Sequence, residues 1–314
     1  MRHVVIAGPI HAAGIALLEA RGLRCTHVTD PAPEAYLRAL PEADALILRT
    51  QPLTEAAIAA APRLGIVSRH GVGCDAVDTA ALHARAIPLA ITGDVNSRTV
   101  AEHAMMLLLA AARRALRSDR AVRTGGWAYR NALEPRELHA RTLLIVGYGR
   151  IGRHLAAMAS GFGMRITAHD PHLAPDAFDG AARVDTLGEG LAAADFVSLH
   201  LPGDGGAVLD ADAIARLRPG AVIVNTARGG LIDETALAAA LQSGHVGAAG
   251  LDVFAAEPPD PDHPLLGCDT AVLTPHAASL TADCAERMAL QAARNVIDHL
   301  DDRLDPALVV GPPG

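Results

Sequence analysis

Short apolar runs alternate along the whole chain with segments whose apolar residues recur every three or four positions. Residues 3–7, 24–28, 44–48, 65–68 and 88–90 read as strands, and 11–21, 33–40, 54–60 and 78–85 as helices between them. A second series follows, with strands at 143–146, 164–168, 195–199, 221–225, 247–251 and 271–273. Its helices fall at 150–161, 187–193, 210–216 and 233–242, and a last helix spans 281–300. The alternation of short apolar strands with amphipathic helices predicts parallel sheet covered by helices on both faces. Between the two series lies one long helical stretch, 98–120. Its centre, AEHAMMLLLAAARRAL, is apolar on more than one face. That pattern predicts a single helix covered between domains or at a subunit interface. The fold class is α/β with two doubly wound domains.

The second series opens on TLLIVGYGRIG. The buried strand is followed by Gly147, Gly149 and Gly152 in the spacing G-x-G-x-x-G, then by a helix, then by a strand ending at Asp170. Gly147 turns the chain off the strand, Gly149 lets a pyrophosphate approach the backbone, and Gly152 lets helix pack on strand. The helix start attracts phosphate, and an acid at Asp170 accepts hydrogen bonds from a ribose. No Arg or Lys follows in Pro171-His172-Leu173, so NAD is expected over NADP.

Polar residues cluster just past the carboxyl ends of the expected strands: Arg49, Arg69, His70, Asp170, His200, Arg228, Asp252 and His276. Ligands of open α/β sheets sit at that edge. Arg228, between small neighbours, suits a carboxylate in two parallel hydrogen bonds. His276 suits general acid-base work near neutral pH. Glu257 is a candidate partner that would fix its tautomer, but it lies on a different loop, and sequence alone does not pair the two. His200 with Pro202 is expected to shape the cofactor loop. Arg49 and Arg69 bring positive charge to the place of an anionic substrate group.

Composition narrows the classes. The 314 residues carry a net charge of −8, which gives no reason to expect a nucleic acid or an anionic membrane as partner. Cys25, Cys74, Cys268 and Cys284 are scattered, so neither a disulfide framework nor a metal site is expected. The start, MRHVVIAG, runs straight into a strand without a signal-peptide pattern, and the most apolar run is too short to span a bilayer. A cytoplasmic protein is the expectation.

Taken together, SRHGVGCDAVD (68–78), NSRTVAEH (96–103), LLIVGYGRIG (143–152), ADFVSLHLP (194–202), PGAVIVNTARGGLIDE (219–234), GAAGLDVFAAEP (247–258) and TPHAAS (274–279) resemble the D-isomer-specific 2-hydroxyacid dehydrogenases. The resemblance covers most of residues 44–290 in family order. It implies a flavodoxin-like substrate domain from 1–96 plus 282–314, with an NAD-binding Rossmann domain, 97–281, inserted in it and the site in the cleft. It implies that Arg228, Glu257 and His276 are catalytic. It places Arg150, Ile151, Asp170, Thr226, Ala227 and Asp252 on cofactor positions, and the backbone at Val72-Gly73, with Arg49, on the substrate. It also implies a homodimer through the long helix. The chain departs from the family pattern after Pro202, where GDGGAVLD is short and lacks the usual threonine, and at Ala76, where Asn is common. It stops after its last helix, so no regulatory C-terminal domain is expected.

The expected activity is interconversion of a D-2-hydroxy acid and its 2-keto acid, of phosphoglycerate, hydroxypyruvate or glyoxylate type. The competing class is an NAD(H)-sensing, corepressor-like interaction protein.

Overall fold

The computed structural model describes residues 1–30, 32, 34–203 and 205–311. The chain divides into two compact units, one of Met1–Asn96 with Leu280–Gly314 and the other of Ser97–Ser279. In the first unit β1 (His3–Ala7), β2 (Arg24–Val28), β3 (Ala45–Leu48), β4 (Ile66–Arg69) and β5 (Leu89–Ala90) form one sheet. Its order is β2-β1-β3-β4-β5, and every pairing is parallel. This is the flavodoxin-like doubly wound order. Helices α1 (Ala12–Ala20), α2 (Glu55–Ala59) and α3 (Thr79–Ala84) connect the strands. Val5, Leu46 and Val67 face Tyr36, Leu53 and Ile58 on one side of the sheet. Val4, Ile6 and Ile47 face Leu18 and, from the last helix (Ala282–Leu300), Ala292 and Val296 on the other. Burial on both faces explains why the central strands β1 and β3 lack a polar alternate, whereas the edge strand β2, only partly buried, carries Arg24, Thr26 and His27.

The second unit carries seven parallel strands: β6 (Thr142–Val146), β7 (Arg165–His169), β8 (Ala182–Arg183), β9 (Phe196–Leu199), β10 (Ala221–Asn225), β11 (Val246–Leu251) and β12 (Ala271–Leu273). The order is β12-β11-β10-β9-β6-β7-β8. Chain direction across the sheet reverses between β6 and β9, the switch point at which such sheets open a crevice beyond their carboxyl ends. Both units are Rossmann-like. The two-residue β8 is too short to leave a sequence pattern.

Asp44 and Asp195 read as first residues of strands, yet each stands just before one. Asp44 Oδ2 accepts the His3 amide at 2.7 Å, and Asp195 Oδ2 accepts the Thr142 amide at 3.0 Å. The same carboxylate clamp thus ties the first central strand to its neighbour in both sheets, at the edge opposite the ligand crevice. Arg63 pairs with Asp44 at 2.8 Å and Arg218 with Asp195 at 3.4 Å.

Two expected helices are corrected. The stretch 98–120 is two helices, α4 (Ser97–Ala112) and α5 (Ala115–Arg123). Arg114 breaks them with a left-handed backbone, φ 53°. Its side chain turns inward, and Nε lies 3.8 Å from Glu134. The apolar excess of α4 is buried within its own unit, against β10, β11 and α6 (Arg150–Ser160). Residues 34–39, expected within a helix, form turns that close Leu37 on Glu34 and Ala39 on Tyr36. Pro41 supplies no amide to extend a helical ladder. Pro33, in the same expected helix, lies outside the described residues.

Candidate active site

The glycine turn leaves β6 at Gly147, whose φ is 90°. A Cβ there would lie 2.5 Å from the His200 carbonyl oxygen, so both conformation and space demand glycine. Gly149 starts α6 with no side-chain cap, and a Cβ on it would meet nothing within 4 Å. The amides of the first helical turn therefore open onto space, as a pyrophosphate requires. Arg150 on that turn is exposed, Ile151 packs against the core, and Gly152 is buried. Asp170 stands past β7. Its Oδ2 accepts the Tyr148 amide at 2.9 Å and its Oδ1 the His172 amide at 3.0 Å. The acid thus braces the glycine turn.

On the other side of the switch point, the His200 ring places Nε2 2.8 Å from Ser198 Oγ. Burial pushes its pKa down to about 4, so the ring is neutral. Its Nδ1 and the Thr226 hydroxyl are buried without a hydrogen-bond partner among the described residues. A buried, unpartnered hydroxyl at the end of β10 fits a bound polar ligand. Pro202 is exposed. In the short loop after it, Asp204 lies outside the described residues, and Leu209 bridges to Ile232.

Three loops at this sheet edge carry Arg228, Glu257 and His276. Asn225, at the end of β10, spans the first loop. Its Nδ2 donates to the Arg228 carbonyl at 2.8 Å, and its Oδ1 accepts the Ala227 amide at 3.0 Å. The aliphatic stem of Arg228 runs alongside Gly203, and Nη1 donates to the Ala227 carbonyl. Glu234 Oε1 accepts the Ala255 amide at 2.8 Å and so holds the second loop. Within it, Glu257 Oε1 accepts the Phe254 amide at 3.1 Å, while Oε2 lies 2.7 Å from His276 Nδ1. The carboxylate therefore takes a proton-bearing Nδ1 and leaves Nε2 as the exchanging atom. Both side chains are partly exposed.

His276 has a left-handed backbone, φ 50°, which is costly for a residue with a side chain. Asp252 offsets that cost. The amide of His276 donates to the Asp252 carbonyl at 2.7 Å, that of Ala277 to Oδ1 at 2.9 Å and that of Ala278 to Oδ2 at 2.8 Å. The side chain of Asp252 is fully buried. Burial alone would raise its pKa, but hydrogen bonds from His103, Thr274, Ala277 and Ala278 outweigh it and hold the group below the ordinary carboxylate range. The family resemblance implies a cofactor position at Asp252, and the structure turns its carboxylate onto the loop of His276. Asn225, Glu234, Thr274 and His103 were not singled out in the sequence. Polar type immediately beside an apolar strand was the one signal available for Asn225 and Thr274.

In the first unit Arg49 follows β3 and donates to the Pro9 carbonyl at 3.0 Å. Arg69 Nε donates to the Gly73 carbonyl at 2.7 Å and Nη1 to that of Leu48 at 3.2 Å. Arg69 thereby fixes the turn that presents Val72 and Gly73. His70 beside it is buried, and burial, then the Arg49 charge, pushes its pKa down to about 4.

A doubly wound sheet with a glycine turn at its switch point, and a Glu-His pair beside an arginine loop at the same edge, has the form of a dinucleotide-binding fold with acid-base groups at its ligand edge. Residues 105–278 match the family described as "D-isomer specific 2-hydroxyacid dehydrogenase, NAD binding domain". D-3-phosphoglycerate dehydrogenase of Mycobacterium leprae is 43% identical over 279 residues, covering 86% of this chain and 51% of that protein. Glyoxylate reductase of Korarchaeum cryptofilum is 39% identical over 300 residues, 90% of each. Among solved structures, the TT0316 protein of Thermus thermophilus superposes with a TM-score of 0.91 at 32% identity, over 98% of this chain and all of that one. The chain belongs to the D-isomer specific 2-hydroxyacid dehydrogenase family, and its second unit contains the family's NAD-binding domain. It spans about half the length of the phosphoglycerate dehydrogenases it matches first. Among the described residues no helix is long and apolar enough to cross a membrane, and no group of three or more His, Cys, Asp or Glu could hold a metal ion.

Proposed function

We propose that this chain is an NAD-dependent oxidoreductase that interconverts a D-2-hydroxy acid and its 2-keto acid. The observation that carries the reading is the 2.7 Å contact between Glu257 Oε2 and His276 Nδ1, in the same unit and at the same sheet edge as the glycine turn. Glu257 fixes the tautomer and stabilises the charged ring, so Nε2 of His276 gives its proton to the ketone oxygen and takes it back in the reverse direction. Arg228 holds the substrate carboxylate and polarises the C2 carbonyl. NADH, when bound, supplies the hydride that reaches C2. Gly147, Gly149, Arg150, Ile151 and Gly152 hold its pyrophosphate, and Asp170 takes the ribose and disfavours a 2′-phosphate. His200, Pro202, Thr226, Ala227 and Asp252 line or brace the rest of that site.

The first unit is the substrate domain, and Arg49 and the Val72-Gly73 backbone are its substrate-binding elements. The substrate is a small polar keto acid: phosphohydroxypyruvate, hydroxypyruvate or glyoxylate. The names of the M. leprae and K. cryptofilum relatives and the charge of Arg49 and Arg69 support this class. The protein works as a homodimer. Leu116, Val122, Trp127 and Leu133 are 51%, 61%, 66% and 85% exposed on and just after α5, and a second copy would cover them. The scattering of the four cysteines along the sequence and the net charge of −8 support a cytoplasmic enzyme that binds neither nucleic acid nor membrane.

NADH oxidation followed at 340 nm against these three keto acids, pyruvate and a bulky 2-keto acid tests the reading. Turnover of one or more is expected. His276→Ala lowers kcat by about 100-fold or more with NADH binding intact. Silence on every acid, from protein that binds NADH, refutes it.

A further inference from the structure

His103 lies on α4, far in sequence from every residue assigned to the reaction, and is mostly buried. Its Nε2 is 3.0 Å from Thr274 Oγ1 and 3.4 Å from Asp252 Oδ1. The Thr274 hydroxyl donates to Asp252 Oδ1 at 2.6 Å, so its oxygen is the acceptor and His103 carries the proton on Nε2. The Asp252 carboxylate then receives Thr274, Ala277, Ala278 and the longer His103 contact, while the Asp252 carbonyl receives the amide of His276. A carboxylate with no exposed surface must have its lone pairs filled by the protein. If His103 is removed, Thr274 and Asp252 lose their common outer donor. The aspartate is then free to turn away from the amides that hold His276 left-handed.

The geometry points to His103 as a positioning residue, which through Thr274 and Asp252 keeps the loop of His276 in the conformation that sets its ring against Glu257. This rests on the proposed acid-base role of His276 for its kinetic consequence, but not for its structural one.

Three single variants separate the role from simple packing. His103→Leu keeps the volume and loses the donor. His103→Gln restores an N–H close to the place of Nε2. Thr274→Val removes the bridging hydroxyl from the other side. Amide hydrogen exchange of residues 274–279 is measured on the NADH-bound protein, because it needs no turnover. His103→Leu and Thr274→Val are expected to speed exchange at 276–278 by about tenfold, and His103→Gln to restore most of the protection. With an active keto acid, the same two variants lower kcat by about tenfold, leaving KM and the NADH dissociation constant within about twofold. Wild-type exchange in His103→Leu, or equal behaviour of Leu and Gln, overturns the inference. If His103→Leu does not fold, Thr274→Val decides alone. A wild-type protein inactive on every keto acid defeats the functional reading, while the exchange result still decides this one.

Discussion

The Cβ that Gly229 lacks would sit 1.9 Å from the carbonyl carbon of Phe254 and 2.2 Å from the Ala255 nitrogen. The loop that carries Arg228 and the loop that carries Glu257 are therefore pressed together backbone to backbone. No side-chain rotation relieves such a contact. The separation of the arginine from the Glu-His pair is thus set by main chain, which is the stiffest way to hold three side chains from three loops.

Gly229→Ala should push those loops apart. We expect a loss of about 1–3 kcal/mol in urea unfolding and a fall in kcat/KM of about tenfold or more. Gly230→Ala is the control, since nothing lies within 4 Å of its Cβ position. Equal behaviour of the two variants would show that the contact is unimportant.

Glu257→Gln keeps an oxygen that can accept Nδ1–H and removes the charge that stabilises a protonated ring. The expected result is a kcat about 10- to 100-fold lower with NADH affinity unchanged. A variant with wild-type kcat would remove Glu257 from the mechanism.

Asp170→Ala removes both the proposed ribose acceptor and the brace on the amides of Tyr148 and His172. NADH should bind about tenfold more weakly, and the preference for NADH over NADPH should shrink. Steady-state KM values for both cofactors check it. An unaltered preference would place cofactor choice elsewhere.

His70 and His200 give stability a defined pH dependence. Both are held neutral in the folded chain down to about pH 4, chiefly by burial, whereas an unfolded histidine takes up a proton near 6.5. Between these values the unfolded state binds more protons, so stability falls as pH drops through that window. Each ring contributes a slope of about 1.4 kcal/mol per pH unit in mid-window. Urea unfolding from pH 7 to 4.5 measures the slope, and His200→Leu should lower it by one ring's share. A flat profile would contradict the burial of both rings.

Leu133→Glu, at an 85% exposed leucine, should shift the protein from dimer to monomer in sedimentation velocity while leaving the fold intact by circular dichroism. A monomeric wild type, or an undisturbed dimer in the variant, would count against the proposed interface.

The two parallel α/β series, most of their strands and helices, and the glycine turn followed by Asp170 were legible in the sequence. Each depends on local pattern: apolar runs buried on both faces, glycines at fixed spacing, an acid at a strand end. The break at Arg114 was not legible, because no Gly or Pro announces a left-handed arginine. Local pattern left the pairing of Glu257 with His276 open, with only the family resemblance implying it, and gave no sign of the bracing of Arg228 by Asn225 or the closure of Gly229 on Phe254. These are contacts between loops distant in sequence, and their register is fixed only once the strands beneath them have paired. Sequence by itself determined which residue types stand at the carboxyl edge of the sheet. Tertiary structure alone decided which of them touch, because hydrogen bonds of 2.7 Å between separate loops depend on backbone placement that no local spacing encodes.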